Sequence, residues 1–84
     1  MTLYLTDGAI AGRLLRVTET EFVTRVDRQV PRGERLDFSI HLEDGVLCGQ
    51  GTCLAQEGKH CRMQFAALTP RERERLEPWI DRRD

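Results

Sequence analysis

The segment RLDFSIHLEDG (35–45) constrains the fold of this chain more than any other stretch. Leu36, Phe38, Ile40 and Leu42 recur at every second position, with Asp37, Ser39 and His41 between them. A β-strand sends successive side chains to opposite faces, so this period puts the apolar groups on one side and the polar ones on the other. The pattern predicts a half-buried strand, and Asp44-Gly45 behind it predicts a hairpin turn. His41 is expected to point to solvent.

The neighbouring segments read as further strands. TLYL (2–5) is a short apolar strand candidate, ended by the turn signal TDG (6–8). AGRLLRVTETEFVTRV (11–26) is rich in β-branched residues and reads as two strands meeting near Glu19 to Glu21. Leu15 and Val17 fall on the first, and Phe22, Val23 and Val26 on the second. DRQVPRGE (27–34) is a loop marked by Pro31 and Gly33. VLCGQGTCLA (46–55) is a strand whose two glycines suggest a bend or bulge. QEGK (56–59) turns the chain into a last strand, HCRMQFAAL (60–68).

The ending changes character. Thr69 stands as N-cap, Pro70 at the first helical position and Glu72 three after the cap, which is a capping box. A helix is predicted from about 70 to 77. Pro78 lacks an amide hydrogen, so Trp79 and Ile80 are expected on a distorted last turn. Leu68, Leu76 and Trp79 or Ile80 form the apolar stripe that would pin the helix to the sheet. The expected fold is mainly β: one domain over 1–84, a small antiparallel barrel of six strands over about 2–67, and one C-terminal helix over about 70–80.

Composition narrows the function. Lys and Arg total 13 against 14 Asp and Glu, so no overall field draws the chain to nucleic acid or to a membrane surface. RERER (71–75) mixes both signs and reads as a solvated helix face, with Glu74 near Arg71 and Glu72 near Arg75. No run of about 18 apolar residues occurs, so no transmembrane helix is expected. MTLYLTDG lacks the basic start and apolar core of a signal peptide, which leaves the cytoplasm as the default. Cys48, Cys53 and Cys61 are odd in number and are expected to stay thiols. Their spacing with His60 matches no zinc site. The strand pairing expected for 46–65 sets Cys53 opposite Arg62, so the cysteines read as separate, small buried hydrophobes. Neither His41 nor His60 stands in a nucleophile setting, so neither catalysis nor a cofactor is expected.

Taken in order, EFVTRVDRQVPRGERLDFSIHLEDG (21–45), GQGTCLA (49–55), MQF (63–65) and LTPRERERLEPWI (68–80) resemble the PilZ domains of bacteria. The resemblance covers nearly the whole chain, from GRLLRVT onward. It implies a six-stranded antiparallel barrel with a C-terminal helix, and a family in which many members bind cyclic di-GMP. That family reads its ligand with R-x-x-x-R on an N-terminal arm and [D/N]-x-S-x-x-G at the start of a barrel strand. Aligning on Phe22 and Pro31 lays the second motif on RVTETE (16–21). Arg16 then stands at the acidic or amide position, Thr18 at the serine and Glu21 at the glycine. No R-x-x-x-R precedes TLYL, so the arm is expected to be missing.

These departures weigh against the usual ligand. Cyclic di-GMP is a dianion, and Glu21 adds bulk and negative charge where a glycine would let backbone approach it. Each lost charged hydrogen bond is worth about 1.5–3 kcal/mol. Losing several removes roughly three or more decades of affinity. RVTETE is therefore expected to be plain barrel surface. The expected role is a protein-interaction module in bacterial signalling or motility, a context of the type IV pilus kind that the resemblance implies. Phe22, Trp79 and Ile80 are the candidate partner surface. The alternative is a receptor for cyclic di-GMP or another nucleotide in an altered pose on Arg13, Arg16 and Thr18. Arg13 and Arg16 differ in strand parity, which argues against a fork on one phosphate. An open barrel edge could also pair two copies.

Overall fold

The computed structural model describes residues 1–6 and 8–80. The alternating segment forms the strand Arg35–Leu42, with Leu36, Phe38 and Ile40 buried, Leu42 half-buried and Asp37 and His41 exposed. Ser39 lies on the outer side but is covered by Tyr4, whose hydroxyl stands 3.2 Å from the serine Oγ.

In chain order the strands are β1 (Thr2–Leu5), β2 (Gly8–Ala11), β3 (Arg13–Val17), β4 (Glu21–Arg25), β5 (Arg35–Leu42), β6 (Gly45–Glu57) and β7 (His60–Phe65). All strand pairs are antiparallel, and the sheet order is β2-β1-β5-β6-β7-β4-β3. Its two ends, β2 and β3, are consecutive in the chain and separated only by Gly12. Successive Cα atoms lie about 3.8 Å apart, so the two ends of the sheet must come within about 8 Å. The sheet therefore curls into a half-barrel.

The strand count corrects the sequence reading. Among the described residues seven strands form rather than six, because Gly8 already pairs with Leu5 and GAIA (8–11) makes a strand of its own. Nothing larger than glycine fits at position 12, where the chain passes from β2 to β3. A Cβ there would stand 2.7 Å from Thr24 Oγ1 and 3.1 Å from the Arg25 carbonyl oxygen. The Gly12 amide donates to the Met1 carbonyl at 2.8 Å, and the Met1 amine donates to the Gly12 carbonyl at 3.0 Å.

Inside the curl, Phe22, Phe38 and Phe65 meet with ring centroids 5.0–5.7 Å apart. Gly49 makes room for them: a Cβ at that position would lie 2.9 Å from Phe38 Cζ. Met63, Leu3, Ile40 and Leu47 complete the centre of the core.

The helix α1 (Pro70–Leu76) begins as expected. Thr69 Oγ1 accepts from the Glu72 amide at 3.2 Å, and Glu72 Oε1 accepts from the Thr69 amide at 2.9 Å. A 3-10 turn, Glu77–Trp79, carries the chain across Pro78. Leu76 is buried, and Leu68 and Ile80 are partly buried against the core, while Trp79 is not part of that stripe. Arg75 does not pair with Glu72. It reaches off the helix to Asp44, with Nε 3.1 Å from Oδ2.

Candidate functional site

The segment RVTETE does not continue as a strand. β3 ends at Val17, which is buried, and Thr18 to Thr20 link it to β4. Next to the point near Glu19 to Glu21 where the two strands are expected to meet, the link is a turn built around one hydroxyl. Thr18 Oγ1 accepts from the Glu21 amide at 3.0 Å and the Thr20 amide at 3.3 Å, and donates to the Glu21 carbonyl at 3.2 Å. The Thr20 carbonyl accepts from the Phe65 amide at 2.9 Å. Glu21 Oε1 takes Arg62 Nε at 3.2 Å. Arg16, Thr18, Glu21, Val23 and Arg62 line a shallow depression of about 250 Å³ here. Its one threonine hydroxyl is already committed to the loop's own backbone.

Arg13 and Arg16 correct the parity argument. A bulge between Leu14 and Arg16 inserts an extra residue, so Arg13 faces Arg25 and Arg16 faces Val23 on β4. Arg25 and Val23 are two residues apart on one strand, so both arginines belong to the outer face. Arg25 in turn faces His60 on β7. Arg13, Arg25 and His60 thus form one basic row across three strands. Among the described residues, no carboxylate bonds to Arg13 or Arg25.

The bulge has a second effect that the sequence reading missed. Leu15 is the extra residue, and it stands 45% exposed. A bulge is a property of two paired strands, so the sequence of one carries no signal for it. Leu15 lines a depression of about 160 Å³ together with Leu14, Leu42, His41, Met1 and Trp79. Trp79 is 47% exposed and also borders a wider hollow of about 550 Å³ over Glu43, Asp44 and Pro78.

Of the three residues expected on a partner surface, Trp79 is exposed and Ile80 is half-buried, bridging Val17 in parallel. Phe22 must be withdrawn. It is 1% exposed, because its pairing with Val17 and Met63 turns it to the core and leaves the adjacent Val23 on the outer face.

The cysteines also differ from the expectation. A register shift in β6 between Cys53 and Ala55 sets Cys53 opposite Met63 and Gln56 opposite Cys61. The two sulfurs then meet at 3.4 Å in the core. Burial, with the Cys53 thiol beside it, pushes the Cys61 thiol up to about 12. Cys48 is exposed rather than buried. Among the described residues, no group of three or more His, Cys, Asp or Glu side chains could hold a metal ion. No described helix is long and apolar enough to cross a membrane. Comparison of the chain with protein-family models, curated proteins and solved structures returned no match.

Proposed function

We propose that this chain is a PilZ-like domain that has lost the family's ligand motif and serves as a protein-interaction module in bacterial signalling or motility. The observation that carries the reading is the Leu15–Trp79 surface. Two large apolar side chains from distant parts of the chain stand nearly half exposed around one depression in a small domain. Aromatic and aliphatic anchors of this kind seat in a partner and dominate binding. The departures at the ligand motif point the same way. Glu21 is paired with Arg62, and Thr18 is bonded within its own turn.

The test is affinity capture from the source cell with the unaltered chain and with Leu15→Asp/Trp79→Ala. A specific protein held in near-stoichiometric amount, and at least about thirty-fold more weakly by the double variant, is the expected result. Capture of no specific protein overturns the reading. A second reading is favoured by the shared outer face of Arg13 and Arg16: a nucleotide receptor in an altered pose. Calorimetric titration with cyclic di-GMP addresses it. Micromolar binding that Arg13→Ala/Arg16→Ala abolishes would put that reading first, and absence of heat leaves the protein-interaction module.

A further inference from the structure

We propose that the outer face of β4 and β7 docks an acidic segment of a partner protein. One carboxylate of that segment enters the hollow between His60 and Arg62, and a second lies over Arg25. This rests on the protein-interaction reading above and names the chemistry of the partner.

The strand registers lay out the face. Arg25 on β4 stands between Arg13 on β3 and His60 on β7, and His60 in turn faces Glu57 on β6. One rung along, Arg62 on β7 stands between Val23 on β4 and Ala55 on β6. Residues two apart on a strand share a face, so Val23 and Arg25 point the same way, as do His60 and Arg62. Arg25, His60 and Arg62 are exposed. Arg13 and Arg25 are like charges directly opposite each other, an arrangement that destabilises a sheet. Among the described residues, Arg25 makes no ion pair that would offset it. A carboxylate laid over Arg25 supplies the missing partner.

The hollow beside this row shows what fits. It measures about 190 Å³ and is lined by Val23, Ala55, Glu57, His60 and Arg62. Val23 and Ala55 are half-buried and form its apolar side, and Ala55 presents only a methyl group opposite Arg62. His60 and Arg62 form its basic rim. A glutamate or aspartate matches both, with its methylene stem on the apolar side and its oxygens on the rim donors. Arg62 gives Nε to Glu21 Oε1 at 3.2 Å, which leaves the Nη donors of its fork for a ligand. Glu57 stands across His60 from Arg25, so an anion belongs on the Arg25 side of the row. The row from Arg13 to His60 spans two interstrand spacings, about 9.6 Å. In an extended segment, side chains two residues apart stand about 6.8 Å from each other, so two acidic residues at that spacing fit within the row.

A phosphate ligand fits this face less well. Phe22 and Phe65, the aromatic residues of β4 and β7, are buried, so neither offers a ring for a base to stack on. Glu21 and Glu57 border the basic groups, whereas a phosphate backbone calls for a patch of one sign.

The probe is the peptide Ser-Glu-Ser-Glu-Ser-Glu-Ser, blocked at both ends and titrated into the isotope-labelled full chain by NMR. The expected result is saturable shifts of amides around Arg25, His60 and Arg62, weakened by salt and absent with a Gln-for-Glu peptide. Arg25→Glu/His60→Glu should weaken binding at least about tenfold and take the Lys-for-Glu peptide instead. Arg25→Glu alone should raise Tm, because it replaces a like-charge pair with an opposite one. A lower Tm would mean that Arg25 serves the fold, and would overturn the proposal. So would the absence of saturable binding. Tighter binding of a thymidine oligonucleotide of equal charge would assign the face to nucleic acid, and displacement of the peptide by cyclic di-GMP would assign it to a nucleotide. Either result overturns the proposal. Capture from the source cell that survives Arg25→Glu/His60→Glu but is lost in Leu15→Asp/Trp79→Ala would overturn the acidic-segment mode alone. The reverse pattern, with the peptide bound, would sink the Leu15–Trp79 surface and leave the basic face.

Discussion

Arg75 donates through Nε and Nη2 to the two carboxylate oxygens of Asp44, at 3.1 and 3.3 Å. Its Nη1 reaches the Val46 carbonyl at 3.4 Å. The fork ties α1 to the turn between β5 and β6, and it walls the hollow beside Trp79. The hydrogen bond from Arg75 holds the Asp44 carboxyl below its ordinary value. A carboxylate so lowered adds stability above its unfolded value, and that stability is lost as pH falls through the folded value. Asp44→Asn should therefore lower Tm slightly at neutral pH and make no difference in strong acid. The pair is exposed, so the effect should be small and should shrink with salt. Thermal melts of both proteins across the acid range, at low and high salt, check this.

Gly12→Ala should destabilise the domain by about 1–3 kcal/mol, the range for a side chain forced into filled space. Its Cβ would press on Thr24 Oγ1 and on the Arg25 carbonyl, at the one residue that separates the two ends of the sheet. Urea titration measures the loss. An unchanged midpoint would mean that glycine is not sterically required at position 12.

Thr18→Ala should cost about 0.5–1.5 kcal/mol for a single net hydrogen bond, and Thr18→Ser should recover most of it. The hydroxyl accepts from two amides of its own turn. A hydroxyl reserved for a ligand would leave stability untouched when removed. Chemical denaturation of the three proteins separates these cases.

The thiols should divide into one fast and two slow. Cys48 is exposed and should react with an alkylating reagent in the native state, while Cys53 and Cys61 should react only on unfolding. Cys61 is raised to about 12 in the fold, whereas a free cysteine titrates near about 8.5. Above the free value the unfolded chain releases a proton that the folded chain keeps. Stability should thus be flat with respect to Cys61 at neutral pH and decline as pH rises toward about 12. Cys61→Ala should remove that part of the decline. Mass spectrometry after brief alkylation, and denaturation at several alkaline pH values, test both statements.

Some of this protein could be read directly from its residues because the cause is local. The period of two in RLDFSIHL needs only the pleat of a single strand, and the strand formed as expected. Thr69, Pro70 and Glu72 lie within one turn of each other, so the capping box was legible too. The strand count, the outer face shared by Arg13 and Arg16, the exposure of Leu15, the burial of Phe22 and the meeting of Cys53 with Cys61 were not. Each depends on which residue of another strand lies opposite, and two of those pairings shift register, at Leu15 and between Cys53 and Ala55. A shift of one residue turns every following side chain to the other face, and only the assembled sheet decides where it occurs.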